Sequence, residues 1–324
     1  MSKIDNVNAL ISQLQNVFDS DIEKQKLDNA IHLKKGFSKW TCYSDYCFGD
    51  VHKPNDVISF VLIPFESEEA YQETEEFIKT KQSKDLKEVK TVNSDFLAYL
   101  KSNEIISFAY ILDDFAKWLG QSKDEQREGI KECLLIYKKQ FDQWNASEQE
   151  ESMKMYYKEL STQIDSICSN AIKDKEINTY IELLLVAIIG AVTMSEVAKR
   201  LDIIEILGWF SDRDAILDKG QGLVCNIFHA TLFCILRDYR YKFTTYKLNS
   251  SNKPFFDNLN RISDIITGTL ADYDIHNNSI TNKKFGKVLR EYFADNEFSF
   301  VHKLSFGEKT KISDIAISLT APSN

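Results

Sequence analysis

The sequence predicts an α/β fold in which helices flank a mixed β-sheet. Stretches with apolar residues at helical spacing alternate along the chain with short runs of β-branched and aromatic residues. The 324 residues include 43% hydrophobic and 12% aromatic side chains, which is enough for a sizeable core, and only 4 Pro and 11 Gly, which argues against a long linker. A chain of this length forms either one elaborated domain or two packed lobes.

The first part of the chain begins with helical spacing and then changes to strand patterns. Residues Lys3 to about Leu33 have a helical apolar stripe, and Lys39 to Phe65 contains β-formers around a turn-like segment, which predicts a hairpin. A charged helix follows at Glu68 to Lys81, and a strand follows at Ile105 to Leu112. Two long charged helices, at 123–144 and 148–172, predict an antiparallel helical pair.

The second part predicts further helices and strands: a buried helix at 178–201, a strand at 203–210, a helix at 221–237, a strand near 241–248, a helix at 257–272, and a tail that mixes a basic helix with short strands. We divide the chain into a helical arm (1–36), the first part of the sheet domain (37–120), a helical insertion (121–177), the second part of the sheet domain (178–275) and a C-terminal extension (276–324).

The start of the chain reads as an amphipathic helix and not as a signal peptide, so we expect a cytoplasmic protein. The longest apolar run, Leu183 to Met194, is shorter than the roughly 20 residues of a membrane-spanning helix, and we expect a buried helix and no membrane contact. The cysteines lack CxxC pairs, which suits reduced thiols. A zinc set of Cys225, His229 and Cys234 lacks a second local pair, so we favour a buried helix face.

The net charge of -9 does not favour nucleic-acid binding, because binding to phosphates usually requires a basic face. The segment 237–253 is the exception, with five bases against one acid and with tyrosines between them. We expect nucleic acid to contact its bases, above all Arg237, Arg240, Lys242 and Lys247.

Acidic residues at predicted strand ends and on one late helix are the candidates for chemistry. Hydrolysis by two metal ions needs carboxylates from distant parts of the chain around cations roughly 4 Å apart. The candidates are Asp45, Asp212, Asp214 and Asp264, and Gly268 leaves room beside the last of these. Structural alternatives stay open, such as a turn at Asp45 or an ion pair between Asp264 and Arg261. The chain lacks GxSxG, GxGxxG and P-loop motifs, which disfavours hydrolase triads and nucleotide-binding enzymes.

Four short motifs carry a resemblance to a known family: Tyr43-Ser-Asp-Tyr-Cys47, Lys84-Asp-Leu-Lys87, Ser211-Asp-Arg-Asp214 and Ile262-Ser-Asp-Ile-Ile266. They are similar to the Asp-Glu-Ser strand, Glu-Leu-Lys segment, strand-end Asp and Ala-Asp-Leu-Ile helix of a bacterial ribonuclease-H-like domain-of-unknown-function family, often found near mobile elements and phage defence. The resemblance spans roughly residues 39–272 without the inserted helices. The sequence departs from the family at Tyr46-Cys47, where Glu-Ser is usual, and at Asp85, where Glu is expected.

The resemblance implies a ribonuclease-H-like fold and a nuclease that hydrolyses nucleic-acid phosphodiesters with Mg²⁺ or Mn²⁺. It implies that Asp45, Asp212 and Asp264 hold the metal, with Asp214 assisting, and that Lys87 contacts phosphate or the carboxylates. Glu182 is our choice for the fourth acidic ligand, with Asp50, Asp113 and Asp114 in reserve.

Three questions stay open at this stage. The substrate is either DNA or RNA. The altered Tyr46-Cys47 segment and the net acidity also fit a binding or regulatory module that kept the fold without the chemistry. The helical pair also fits a scaffold that binds a protein partner or associates with itself.

Overall fold

The computed structural model describes residues 3–84, 86–102, 105–211, 215–237, 239–245, 256–307 and 309–318. Its α-helices are α1 (Lys3–Phe18), α2 (Asp21–His32), α3 (Glu68–Lys81), α4 (Ser94–Ser102), α5 (Lys123–Ser147), α6 (Glu151–Ser169), α7 (Asp174–Ala198), α8 (Ala215–Asp218), α9 (Leu223–Ile235), α10 (Asp257–Asp272) and α11 (Lys283–Val288).

The strands are β1 (Lys39–Cys47), β2 (Asp56–Phe65), β3 (Ile106–Asp113), β4 (Ile206–Ser211), β5 (Lys242–Thr245), β6 (Tyr273–Asp274), β7 (Ser279–Ile280), β8 (Ser299–Ser305) and β9 (Lys311–Asp314). All but the short pair β6 and β7 form one seven-stranded sheet in the order β5-β4-β1-β2-β3-β8-β9. β2 is antiparallel to β1 and β3, and β9 to β8, whereas β4 is parallel to β1 and β5, and β3 to β8. The predicted mixed sheet flanked by helices and the hairpin are thus confirmed.

α7 forms the centre of the core on one face of the sheet. By length and composition this helix could cross a membrane, but 94% of its most apolar window is buried inside the protein. It packs with α1, α5 and α9 against the even-numbered residues of β2, such as Phe60. The buried helix predicted around Leu183 to Met194 is therefore confirmed as a core helix.

α10 occupies the opposite face of the sheet, together with α3, α4 and α11. The core on this side contains Tyr43, Val61, Ile262, Ile266 and Phe285. α10 lies across β1 and β2 and contacts α3 and α11. Since β1 is covered on both faces, its polar side chains lie at the boundary between sheet and helix.

The segments predicted as additions are part of the same core. The N-terminal arm is two helices that break at Asp19 and Ser20, and Phe18 packs within the α7 side of the core. The helical insertion contributes α5, whose apolar stripe around Leu134 is buried in that core. The C-terminal extension supplies β8 and β9, the two strands at one edge of the central sheet.

Candidate metal centre between β1 and α10

Asp45 lies near the carboxyl end of β1, on the face of the sheet that α10 covers. Alternate residues of a strand point to opposite faces. Tyr43 is buried in the core on the α10 side, and Cys47 packs against the same core. Asp45, between them, therefore points to this side, where it is half-buried.

Hydrogen bonds dock α10, the helix that carries Asp264, on the sheet next to Asp45. Thr267 Oγ1 donates to the backbone oxygen of Asp45 at 3.1 Å. Ser59 of β2 is the pairing partner of Asp45 in β1, and its hydroxyl donates to the backbone oxygen of Ser263 at 3.2 Å. Asp264 directly follows Ser263 and shares a helix side with Thr267, three residues on. Two carboxylates far apart in sequence therefore flank the same contact between strand and helix.

β4 ends next to Asp45, as the sequence predicts for a strand-end cluster. Ser211, the last residue of β4, pairs with Ser44 of β1, and its Oγ donates to the Ser44 backbone oxygen at 3.1 Å. Asp212 and Asp214 follow Ser211 in sequence and lie outside the described residues, so their roles as ligands stay predictions.

Tyr46 replaces the usual glutamate of the resembling family and lies on the opposite face of β1 from Asp45. Its hydroxyl is 2.8 Å from Ser44 Oγ and 2.7 Å from Ser211 Oγ, and Trp209 Nε1 donates to Ser44 Oγ at 2.9 Å. Burial raises the pKa of Tyr46, which keeps the hydroxyl neutral. The substitution therefore ties the ends of β1 and β4 together by neutral hydrogen bonds.

Cys47 lies on the same face as Asp45. Burial raises the pKa of its thiol to about 11, so the group is protonated at neutral pH. A thiolate is the form of cysteine that binds metals. Cys47 therefore does not replace the carboxylate that the family would place in this segment.

Lys87 lies in a 3-10 turn, Leu86–Glu88, that packs against α10. A Cβ on Gly268 would lie 2.6 Å from Leu86 Cδ2, so the glycine permits a close approach of the turn to the helix. The space beside Gly268, which the sequence analysis assigned to Asp264, is filled by Leu86. The structure does not describe the side chain of Lys87, so the role of this residue stays a prediction.

Asp264 faces the chain segment that leads to this turn. Residues 261, 264 and 268 share one side of α10 by their helical spacing. Arg261 Nη1 donates to the backbone oxygen of Gln82, and Gly268 contacts Leu86. Since Asp264 lies between Arg261 and Gly268 on this side of the helix, we place it beside Gln82 and Leu86. Arg261 also forms an ion pair with Asp257 at 3.4 Å.

Two lysines bring positive charge to this site. Lys284 is buried, and its Nζ donates to the Leu86 backbone oxygen at 2.6 Å. Burial lowers the pKa of Lys284, and the negative charge of Asp264 opposes that shift. Lys53, in the loop between β1 and β2, lowers the pKa of Cys47 by its charge. The sequence analysis missed both lysines because no pattern distinguishes them from surface lysines.

Glu182 is half-buried on α7, across the sheet from α10. The helix begins at Asp174, four residues before the predicted start at residue 178, so Glu182 lies in its third turn. An ion pair between Glu176 and Lys219, 2.6 Å, joins this part of α7 to the segment after β4. Glu182 thus lies on the opposite face of the sheet from Asp45.

The chemistry of Asp45 and Asp264 fits a hard divalent cation, because carboxylate oxygens are the ligands that Mg²⁺ and Mn²⁺ prefer. Within the described residues, no group of three or more His, Cys, Asp or Glu side chains is placed to hold a metal ion. A complete set of ligands therefore needs a residue such as Asp212 or Asp214 from beyond Ser211.

Of the zinc-set residues on α9, Cys225 and His229 are packing residues. The His229 ring stacks on Phe243 with 4.8 Å between centroids, and burial lowers its pKa to about 4, so the ring is neutral at physiological pH. Cys225 is half-buried and Cys234 is exposed. The preferred interpretation of a packed helix face holds for Cys225 and His229, but not for Cys234.

The predicted nucleic-acid contacts lie at the other end of the strands. Arg237, Arg240 and Lys242 are exposed, and Lys242 pairs with Ile206 at the start of β4. Ser211 lies five positions further along the strand than Ile206, which corresponds to about 16 Å. Lys247 lies outside the described residues. The three bases therefore do not border the carboxylates. The predicted nucleic-acid contacts and the predicted metal ligands do not form a single shared site.

Fold and site together define an α/β protein with one mixed sheet, in which α10 docks on the strand that carries Asp45. Comparison of the chain with models of protein families, with curated proteins and with solved structures finds no match.

Proposed function

We propose that this protein hydrolyses nucleic-acid phosphodiesters with Mg²⁺ or Mn²⁺ bound by Asp45 and Asp264, with Asp212 and Asp214 as further ligands. The observation that carries the proposal is the docking of α10 on β1 and β2: Thr267 Oγ1 donates to the Asp45 backbone oxygen, and Ser59 donates to the backbone oxygen of Ser263, the residue before Asp264. Half-burial of both side chains keeps them accessible to a cation.

The order of the strands supports a ribonuclease-H-like fold. Three consecutive antiparallel strands, β1 to β3, are followed by β4 and β5, which lie parallel to β1 on its other side. α7 joins β3 to β4, α9 joins β4 to β5, and α10 follows β5. This arrangement supports the proposed ribonuclease-H-like fold, and β8 and β9 extend the sheet beyond β3.

The charged groups around the carboxylates suit a phosphodiester substrate. Divalent cations in such a site lower the pKa of a bound water and neutralise charge on the leaving oxygen. Asp45 and Asp264 would hold them from two rigid elements, which fixes the geometry of the ligands. Lys53 lies at this site, and buried Lys284 holds the turn that carries Lys87, a residue suited to contact phosphate.

The test is a cleavage panel with single-stranded, double-stranded and hybrid substrates, with and without Mn²⁺. We expect metal-dependent cleavage that falls by at least about 100-fold in Asp45→Asn, Asp212→Asn and Asp264→Asn, because each removes a charged ligand. Asp202→Asn changes an exposed aspartate away from the site and is the matched control. Cleavage retained in all three site variants would reject the proposed site.

A second candidate is a binding or regulatory module without hydrolysis. Tyr46 favours it, because the usual glutamate is replaced by a hydroxyl that is committed to Ser44 and Ser211. Calorimetric titration with Mn²⁺ separates the two functions. The nuclease should show saturable binding that Asp45→Asn and Asp264→Asn weaken, whereas absence of saturable binding in the unmodified protein would favour the inactive module.

A further inference from the structure

Exposed aromatic and basic residues follow one another in sequence where α9 ends and β5 begins. Phe233 and Tyr239 are 40% and 39% exposed, although large apolar side chains are otherwise mostly buried. Arg237, Arg240 and Lys242 are exposed between and beside them. The backbone N–H of Tyr239 donates to the Leu236 oxygen at 2.8 Å, which closes a turn and keeps the segment compact. We call Phe233, Arg237, Tyr239, Arg240 and Lys242 the aromatic-basic corner.

Phe233 is held in place by rings behind it. It packs edge-on against Trp144, with 5.1 Å between centroids, and Trp144 lies 5.8 Å from the His229 ring. His229 in turn stacks on Phe243, the neighbour of Lys242 in β5. A row of rings thus runs from α5 through α9 to β5. Phe233 therefore presents a rigid, partly exposed ring that costs little conformational entropy on binding a flat ligand.

The charge of the corner differs from that of the whole chain. Within the part of the chain that the structure describes, Arg237, Arg240 and Lys242 take part in no ion pair, whereas many other surface lysines pair with acids. The backbone oxygen of Glu205 accepts from the Lys242 N–H, and one acid, Asp238, lies within this segment of the sequence. Three available cations beside exposed rings fit a ligand that carries both negative charge and flat apolar faces.

We propose that the aromatic-basic corner binds single-stranded nucleic acid, with the three cations on the backbone phosphates and with bases stacked on Phe233 and Tyr239. Stacking on aromatic side chains and basic contacts to phosphates are the combination that holds unpaired strands without sequence preference. In duplexes the faces of the bases are already stacked, so they are not accessible to these rings. The proposal does not depend on the proposed hydrolysis, because the corner lies at the opposite end of β4 from Ser211.

The charge part of the proposal is tested by fluorescence anisotropy with labelled oligothymidylate and oligouridylate in EDTA, which prevents metal-dependent cleavage. Contacts to three phosphates should give a slope of log affinity against log salt of about -2. The variant Arg237→Glu/Arg240→Glu/Lys242→Glu should lose most of the affinity and this slope. Lys24→Glu/Lys123→Glu/Lys175→Glu, at exposed positions elsewhere, has the same net charge and should bind like the unmodified protein. Equal loss in both triple variants would overturn the proposal.

The stacking part is tested with Phe233→Leu and Tyr239→Leu, which keep an apolar side chain and remove the ring. Each should weaken binding of the single strand by about ten-fold, in the range found for loss of base stacking on an aromatic side chain. Duplex of the same length should bind more weakly than the single strand. Equal binding of duplex, or binding to anionic phosphatidylserine vesicles without binding to either oligonucleotide, would refute a single-strand site.

Discussion

His302 shows how a single buried polar residue links distant parts of the chain. The side chain is 1% exposed, and its Nδ1 lies 2.7 Å from Asp314 Oδ1 of the edge strand β9. Glu23 and Lys26 of α2 bring one negative and one positive charge to the same place. The hydrogen bond to His302 lowers the pKa of Asp314 below 3.8, its ordinary value. This contact therefore stabilises the fold while Asp314 is charged.

Replacement of Asp314 should lower the free energy of unfolding by an amount that depends on pH. Asp314→Ala leaves Nδ1 of a buried imidazole without its partner, which costs about 1 kcal/mol, at the low end for such losses because Asp314 is half exposed. Since the folded pKa is lowered, the contribution is complete above 3.8 and is lost as the pH falls through the folded pKa. Urea unfolding from pH 7 downwards should show a constant difference from the unmodified protein until about pH 4. A difference that disappears already between pH 7 and 5 would contradict this.

The sequence pattern identifies some of these residues and not others, and the difference has a physical reason. Asp45 and Asp264 stand out because an acid within an apolar strand or helix pattern is costly unless it has a function or a partner. Lys284 and His302 are equally buried, but their neighbours in sequence look like a surface helix and a short strand. Their burial follows from contacts with residues almost 200 or more positions away, such as Leu86, and local patterns do not encode such contacts.

At the scale of elements, two glycines let helices approach their neighbours closely. The side chains that surround the two glycines differ in how easily they can move. A Cβ on Gly190 of α7 would lie 2.6 Å from Phe60 Cε1 of β2 and 2.7 Å from Phe228 Cε2 of α9. Both rings are fully buried, so neither has space to move. On α10, a Cβ on Gly268 would lie 2.6 Å from the end of the flexible Leu86 side chain and 3.3 Å from Phe285 Cε1.

The two alanine variants should therefore differ. Gly190→Ala overpacks a rigid core and should cost about 1–3 kcal/mol, reduced by the gain in helix propensity. In Gly268→Ala the Leu86 methyl group can turn away, so the gain in propensity should keep stability within about 1 kcal/mol of the unmodified protein. Chemical denaturation of both variants tests the comparison. A larger loss for Gly268→Ala would show that the turn carrying Lys87 is as rigid as the core.

The elements themselves were predictable where the pattern was local. The hairpin of β1 and β2 follows from two runs of β-formers around a turn, and α3 was predicted with its observed bounds. β4 begins at Ile206, three residues after the predicted start. The reason is that Ile206 is the first residue of this strand with a pairing partner in β1, and that partner is Lys39. The addition of β8 beside β3 was not predicted, since pairing between residues near 107 and 299 leaves no trace in either segment.

At the scale of the whole molecule, β8 connects the C-terminal segment to the core. Phe300 stacks on Phe108 of β3 with 4.8 Å between ring centroids, and Tyr292 donates from its hydroxyl to Ser107 Oγ at 2.9 Å. Phe300, Leu304 and Phe306 are buried. Burial of each such side chain contributes about 1.5–3 kcal/mol. The three together are comparable to the whole stability of a typical domain, about 5–15 kcal/mol.

Two truncations therefore should behave differently. A chain that ends at Gly307 loses β9 and the contact of Asp314 with His302, but it keeps β8 and should fold with a lower melting temperature. A chain that ends at Asp295 loses β8, exposes the edge of β3 and should aggregate, because an unpaired apolar edge strand recruits other chains. Soluble yield and far-ultraviolet circular dichroism of the two chains provide the measurement. A soluble, cooperatively folded chain ending at Asp295 would show that the C-terminal strands are a dispensable addition to the sheet.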